Sequence, residues 1–326
     1  MATRRLQRFC RGWRQCSSRA FRAVFLSICC AVMLTAAPMA TQAKSSLDLG
    51  VMYQPLNRDA ELGVYGWRYL FQQLATEDID FGVVQWVQYG NEYFAQPRNW
   101  LRQALTAWQQ HMPLWIGLHS EPDYFAQMAE GEAAQQAFFN NYLRSVNGTV
   151  ARWQAWQFEH QQQFLGWYIP LELSDAYFAT AEKQAQLHQF LRQLRERLGT
   201  TPLAISVFMS ATISPQLFGE WVNEIQQLGY EVWLQDGSGT QALPLNQRQA
   251  YYEKLNCDVV FINEAFIQTS EQPFEARPKR DDELRKTLEQ NGDCHRRILF
   301  SLRYLSHTAG LLYLTDVTRD DAHTGD

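Results

Sequence analysis

The chain has 326 residues, of which 46% are hydrophobic and 19% charged, so a sizeable apolar core can form and wholesale disorder is excluded. The formal charge is −5, but the first 43 residues hold seven arginines and no acid, and the remainder has 22 basic against 34 acidic residues, a charge of −12. An acidic body argues against nucleic acid as a partner, because phosphate contacts need clustered Lys and Arg.

The beginning of the chain has the pattern of a secretory signal peptide. Its arginines precede 15 residues of an apolar run, 23–37, and small residues follow up to Ala43. A positive segment, a short apolar segment and an A-x-A-like exit are typical of such signals. The run is short for a membrane span, which needs about 20 apolar residues. We predict that residues 1–43 are cleaved and that the mature chain is exported, periplasmic or secreted, without a membrane span; an uncleaved N-terminal anchor is the alternative.

Beyond the signal peptide, short apolar β-type runs alternate with longer amphipathic stretches, and no linker divides them. The predicted strands are DLGVMYQ (48–54), FGVVQWV (81–87), PLWIGLH (113–119), GWYIPLEL (166–173), PLAISVFM (202–209), EVWLQD (231–236), DVVFINE (258–264) and RILFSLRY (297–304). The long third connection, 122–165, is expected to add an extra helix.

Eight βα repeats in one stretch predict a single α/β domain, a (β/α)8 TIM barrel over residues 44–313, followed by a flexible tail, 314–326. An open doubly wound sheet is the alternative, but no strand is followed by G-x-G-x-x-G. The charged segment EARPKRDDE (275–283), after the seventh strand, is expected to be solvated.

Two cysteines remain in the mature chain. Cys257 precedes the seventh predicted strand and Cys294 the eighth, so the barrel would bring both to its bottom face. In an oxidising compartment such a pair is more often bridged than free. We predict a structural disulfide, with two free buried thiols as the alternative.

Acidic residues close three of the predicted strands. Glu172 ends the fourth, Asp236 the sixth and Glu264 the seventh, and the active site of a TIM barrel is built from the C-terminal ends of its strands. Two carboxyls facing each other there suit glycoside hydrolysis, in which one protonates the leaving oxygen and the other, ionised, attacks the anomeric carbon or activates water. These three are our candidate catalytic residues.

The orientation of Glu172 follows from strand alternation. Trp167, Ile169 and Leu171 share one parity and should face the surrounding helices. Tyr168 and Glu172 have the opposite parity, so both should point towards the barrel axis.

Polar and aromatic side chains near the same strand ends are candidate ligand contacts. A pyranose has an apolar C–H face that stacks on aromatic rings, while its hydroxyls bond amides and acids. The candidates are Tyr53, Gln54, Asn57, Gln85, Trp86, His119, Tyr168 and Arg303. Tyr89, Phe208 and Trp233 are further aromatic residues among these strands, and tryptophans on the helices are expected in the core.

A family resemblance accompanies these motifs. The segments YQPLNRD, VVQW, GWYIPLEL, WLQDGSG and FINEAF resemble the bacterial domain of unknown function 4434 family over roughly residues 47–305. The resemblance implies a glycoside-hydrolase-like TIM barrel. More distantly, the carboxylates are similar to those of clan A retaining glycosidases, which implies Glu172 as acid/base and Glu264 as nucleophile or electrostatic stabiliser, with Asp236 assisting.

One position departs from the clan A pattern. Those enzymes carry Asn-Glu on the fourth strand, whereas this chain has Leu171 before the Glu there and Asn263 before the Glu on the seventh strand. Gln85 or Asn57 would take the place of the missing Asn, which holds the sugar 2-hydroxyl.

Competing chemistries lack their motifs. The chain has no G-x-S-x-G, H-E-x-x-H or C-x-x-C, and we expect no cofactor and no metal, although three carboxylates would also suit a divalent cation. The sequence therefore favours an exported glycoside hydrolase acting on a polysaccharide or oligosaccharide. The alternative is a non-catalytic carbohydrate-binding barrel of an exopolysaccharide or envelope system.

Overall fold

The protein forms a closed, parallel, eight-stranded barrel. A computed structural model describes residues 49–290, 292, 294–308 and 311–312. The strands are β1 (Leu49–Tyr53), β2 (Phe81–Val84), β3 (Leu114–Gly117), β4 (Phe164–Ser174), β5 (Leu203–Phe208), β6 (Tyr230–Gln235), β7 (Val260–Glu264) and β8 (Arg297–Phe300). Each pairs with its sequence neighbours, and β8 pairs with β1 to close the ring. The predicted (β/α)8 barrel and its eight strands are confirmed. The predicted signal peptide and tail lie outside the described residues.

Helices surround the barrel. They are α1 (Gly63–Leu74), α2 (Trp100–Trp108), α3 (Tyr124–Ala129), α4 (Glu132–Glu159), α5 (Ala181–Leu198), α6 (Pro215–Gln227), α7 (Leu245–Tyr252) and α8 (Asp281–Gln290). The third connection holds both α3 and α4, so it adds the extra helix that its length predicts. In the described part of the chain, no helix has the length and apolar character needed to cross a bilayer.

Side chains of opposite parity enter two separate apolar layers. Trp167, Ile169 and Leu171 belong to the layer between strands and helices, whereas Tyr168 belongs to the cluster inside the barrel. The predicted alternation of β4 is therefore confirmed. Trp233 also points inwards, and its ring stacks on that of Tyr168 at a centroid distance of 4.7 Å. These rings fill the barrel interior, which makes it a packed core and not a pore.

The predicted disulfide is present. Cys257 and Cys294 are bonded, with their Cα atoms 5.3 Å apart. They lie just before β7 and β8, at the N-terminal ends of two neighbouring strands. The bond therefore links the bottom of the barrel, opposite the end where strand-terminal side chains meet.

A hairpin extends the barrel beyond β7. Its strands, Phe266–Ser270 and Glu275–Pro278, pair antiparallel. The hairpin contacts the segment after β6, because the backbone N–H of Gln268 donates to the Gly239 carbonyl at 3.0 Å. This bond links the segments that follow the C-terminal ends of β6 and β7.

Candidate active site

One cavity at the C-terminal end of the barrel brings the two predicted glutamates together. It has a volume of about 420 Å³ and is lined by the ends of β4, β5, β6 and β7. Both Glu172 and Glu264 line it. Other lining residues include Phe208, Ser210, Gln235, Thr240 and Arg248. We call this space the mouth cavity.

A β-bulge precedes Glu172. Ile169 and Glu172 pair with consecutive residues of β5 although they are three positions apart, so Pro170 and Leu171 are extra residues in β4. Proline has no N–H for the ladder and is accommodated at such irregularities. The Leu171 carbonyl instead accepts a hydrogen bond from Ser206 Oγ at 3.1 Å. The bulge thus keeps a defined geometry and delivers Glu172 to the cavity.

The surroundings of the Glu172 carboxyl favour its protonated form. Burial raises its pKa above the ordinary value, and a hydrogen bond with the Gln235 side chain lowers it in part. Gln235 ends β6 and lines the same cavity. A carboxyl that stays protonated to higher pH than usual suits a general acid.

Glu264 is held by backbone amides. It is only 6% exposed, and its Oε2 accepts hydrogen bonds from the amides of Gly239 at 2.5 Å and Thr240 at 3.0 Å. Burial and the nearby Asp236 raise its pKa to about 7, against the two amides and Lys279, which lower it. Both amide bonds go to Oε2, so Oε1 is the oxygen left for a ligand.

The turn after β6 requires glycine at the point of contact. A Cβ on Gly239 would lie 2.6 Å from the Phe266 carbonyl oxygen and 2.9 Å from Glu264 Oε2. Gly237 has φ +60°, in the left-handed region that favours glycine. The D-G-S-G segment therefore forms a cradle that only its glycines allow, and we call residues 236–240 the glycine cradle.

Asp236 supports this arrangement from outside the cavity lining. It is fully buried. Its Oδ1 accepts from the amides of Ser238 at 2.9 Å and Glu264 at 3.3 Å, and its Oδ2 accepts from Asn263 Nδ2 at 2.8 Å. These bonds tie the cradle to the end of β7, so the structure makes Asp236 a positioning residue.

Lys279 contributes a buried cation that the sequence did not reveal. The prediction that 275–283 is solvated is wrong at this position, because the hairpin turns the Lys279 side chain beneath the cradle. Its Nζ donates to Ser238 Oγ at 2.7 Å and to Thr287 Oγ1 at 2.9 Å. Burial lowers its pKa, while the Asp236 and Glu264 carboxylates raise it. Its positive charge favours the ionised form of Glu264.

Two predicted ligand contacts belong instead to a buried cluster. Tyr53 is 1% exposed, packs edge-on against Trp67 of α1 and donates its hydroxyl to Asp59 Oδ2 at 2.8 Å. Arg303 donates to the same oxygen at 2.7 Å and to the Gln54 carbonyl at 3.4 Å. These bonds stabilise the connection between β1 and the segment after β8, and they leave the Tyr53 ring no free face for a sugar.

His119 lines a second cavity, also of about 420 Å³. Its Nε2 lies 3.2 Å from Glu121 Oε2, and Arg144 and Arg152 of α4 line the same space. Burial lowers the pKa of His119, and Glu121 partly offsets this effect. His119 therefore lines a polar pocket that is separate from the mouth cavity.

The other predicted contacts lie outside the mouth cavity lining as well. Gln85 and Trp86 are buried after β2, and the Tyr168 hydroxyl is 2.8 Å from Ser206 Oγ inside the barrel. Asn57 is exposed and donates to Glu92 Oε2 at 2.9 Å. The structure thus unites Glu172 with Glu264, braced by Asp236, and leaves the remaining predicted residues dispersed.

Comparison with known proteins agrees with this architecture. The chain is 30% identical over 278 residues to the uncharacterized protein YbcH of Escherichia coli K12, covering 81% of this chain and 92% of that protein. A protein from Bacteroides thetaiotaomicron assigned as an α-L-fucosidase superimposes with a TM-score of 0.55 at 17% identity, over 78% of this chain and 88% of that one. That likeness shows the fold, a TIM barrel of the kind found in glycosidases. The chain belongs to the family described as domain of unknown function DUF4434, which matches it over residues 49–308.

Proposed function

We propose that this protein is an exported glycoside hydrolase that cleaves a polysaccharide or oligosaccharide with two carboxyl groups. The observation that carries the proposal is the pair Glu172 and Glu264, which line one cavity at the C-terminal end of the barrel and both have a raised pKa. Titratable groups with shifted pKa values in a cleft are typical of catalytic sites.

The surroundings of the two carboxyls support different roles. Glu172 is buried, which raises its pKa, and its hydrogen-bond partner is the neutral Gln235 side chain, so this carboxyl suits the general acid towards the leaving oxygen. Glu264 is fixed through Oε2 by two amides, with Lys279 nearby. Such donors stabilise a carboxylate, which leaves Oε1 to attack the anomeric carbon or to activate water. Asp236 acts through Glu264, because it orients both the cradle and the β7 backbone.

Export is supported by the disulfide. Bridged cysteines persist in oxidising compartments and are rare in the bacterial cytosol, and Cys257 and Cys294 are bonded. Together with the signal-like beginning, this supports a location in the periplasm or outside the cell. N-terminal sequencing of the exported protein should start at Lys44; a chain that begins at Met1 and stays in the cytoplasm would contradict export.

A pair of amide variants tests the hydrolysis. Glu172→Gln and Glu264→Gln should each lower the release of reducing ends from a polysaccharide panel by at least about 100-fold, since acid/base catalysis contributes roughly 10²–10⁴-fold. Glu196→Gln, an exposed carboxyl on α5, is the matched control and should keep full activity. Binding of oligosaccharide should survive in both site variants. A wild type that binds a glycan and releases no reducing ends would instead identify a carbohydrate-binding barrel.

A further inference from the structure

Three aromatic rings form a partly exposed cluster beside the mouth cavity. Phe125 of α3 is 43% exposed, and its ring centroid lies 6.4 Å from that of Tyr177 and 6.3 Å from that of Phe208. Tyr177 and Phe208 are half-buried. We call Phe125, Tyr177 and Phe208 the aromatic shelf.

The shelf is continuous with the cavity on the Glu172 side. Phe208 ends β5 and itself lines the cavity. Tyr177 follows β4, which carries Glu172, and Phe125 follows β3. Since β6 separates β5 from β7, the shelf stands next to Glu172 and away from the strand that carries Glu264.

The backbone beneath the shelf is fixed before any ligand arrives. Asp175, fully buried after β4, accepts hydrogen bonds from the amides of Ser210 at 2.6 Å, Thr212 at 2.7 Å and Ile213 at 3.1 Å. This single carboxylate therefore joins the loop after β4 to the loop after β5. A surface that is already ordered loses little conformational entropy when a ligand binds.

The position of the exposed ring also argues for a ligand. Other strongly exposed aromatic side chains, such as Tyr65 on α1 and Phe158 on α4, lie on helices without lining the mouth cavity. Phe125 instead contacts a ring that lines it. An exposed aromatic cluster beside a largely apolar cavity that holds two carboxyls suits a ligand with an apolar face and many hydroxyls, which is the character of a pyranose.

We propose that the aromatic shelf stacks the sugar ring on the leaving-group side of the scissile bond, the ring that departs on the oxygen protonated by Glu172. The inference rests on the proposed hydrolysis for the direction of the chain, and on the position of Phe125, Tyr177 and Phe208 for the stacking. The shelf would thereby bind substrate without touching the reacting atoms.

Binding to the variant Phe125→Ala tests the stacking. The probes are cello-, xylo-, manno-, chito- and galacturonohexaose, titrated by calorimetry, and the one that binds wild type most tightly is carried forward. Removing the Phe125 ring takes away the apolar area that the sugar covers, so we expect about tenfold weaker binding. Phe125→Trp should restore binding, and Phe158→Ala, also an exposed Phe→Ala change, should leave it unchanged.

Kinetics with two kinds of substrate test the side of the bond. Phe125→Ala should lower kcat/KM about tenfold for the hexasaccharide and to a much smaller extent for the glycosyl fluoride of the same sugar, because a fluoride leaving group has no ring to stack on the shelf. Equal binding by Phe125→Ala and wild type, or no binding of any probe by wild type, would overturn the proposal that the aromatic shelf stacks a sugar ring. Hexasaccharide binding that depends on Phe125 without release of reducing ends would refute the hydrolysis while keeping the shelf as a sugar-binding surface.

Discussion

Replacing Gly239 with alanine tests whether the glycine cradle fixes Glu264. The new Cβ would lie 2.6 Å from the Phe266 carbonyl oxygen, whereas carbon–oxygen contacts are about 3.3 Å or longer, so the turn must move by about 0.7 Å. A shift of this size pulls the amides of Gly239 and Thr240 away from the carboxylate. Because a misplacement of about 1 Å costs roughly 10²-fold in rate, we expect kcat to fall by up to about 100-fold. Overpacking should lower the free energy of unfolding by about 1–3 kcal/mol.

The pH profile distinguishes loss of the cradle from general damage. The two amides lower the pKa of Glu264, so their loss should raise that pKa above 7 and move the acidic limb of kcat to higher pH. Gly148→Ala is the control, since its Cβ would meet its nearest neighbour, Arg152, at 3.4 Å. This variant should keep kcat, and its free energy of unfolding should rise by about 0.5–1 kcal/mol because alanine favours helix α4 more than glycine does. A Gly239→Ala protein with wild-type kcat and an unchanged pH profile would refute the cradle.

Three further predictions concern the charges and the disulfide. Burial raises the pKa of Glu264 from 4.5 to about 7, so the free energy of unfolding falls as the pH rises through this range. Urea unfolding of the wild type should show a fall of about 3 kcal/mol between pH 4 and pH 8 that Glu264→Gln lacks. Equal falls in the two proteins would contradict the raised pKa. Replacing Cys257 and Cys294 together with serine should lower the free energy of unfolding by about 4 kcal/mol, with kcat unchanged because the bond lies at the bottom of the barrel; a smaller kcat in the folded variant would count against a purely structural role. Lys279→Met removes a charge that lowers the pKa of Glu264, so the acidic limb of kcat should move to higher pH, whereas Lys286→Met, at an exposed position of α8, should leave the profile in place.

The barrel and its two cavity glutamates follow from local sequence patterns. Eight apolar runs separated by amphipathic stretches are enough to predict a (β/α)8 topology, and strand ends are where its catalytic groups lie. The parity of GWYIPLEL also places Trp167 outside and Tyr168 inside, as the structure has them. These inferences succeed because each depends on a few neighbouring residues.

Local sequence patterns do not predict contacts between segments that are far apart in the chain. Lys279 lies in a run of charges that reads as solvated, and only the fold of the hairpin brings it under Ser238. Tyr53 ends a strand, which predicts a place at the mouth, yet the residues VMY are apolar on both faces of β1 and nothing local shows that the Tyr53 ring turns towards Trp67. Arg248 reaches the cavity from α7, where no motif marks it.

The two glutamates share one support, the C-terminal end of β6, where Gln235 bonds Glu172 and the glycine cradle holds Glu264. Glu264 is held by the cradle after β6, whereas Glu172 reaches the cavity through the bulge of β4. A change at the end of β6 therefore acts on both carboxyls at once, whereas the loops after β3 and β4 lie outside the glycine cradle. Under the proposed function, new loops grafted after β3 and β4 should alter glycan preference, because they leave the cradle that holds Glu264 in place.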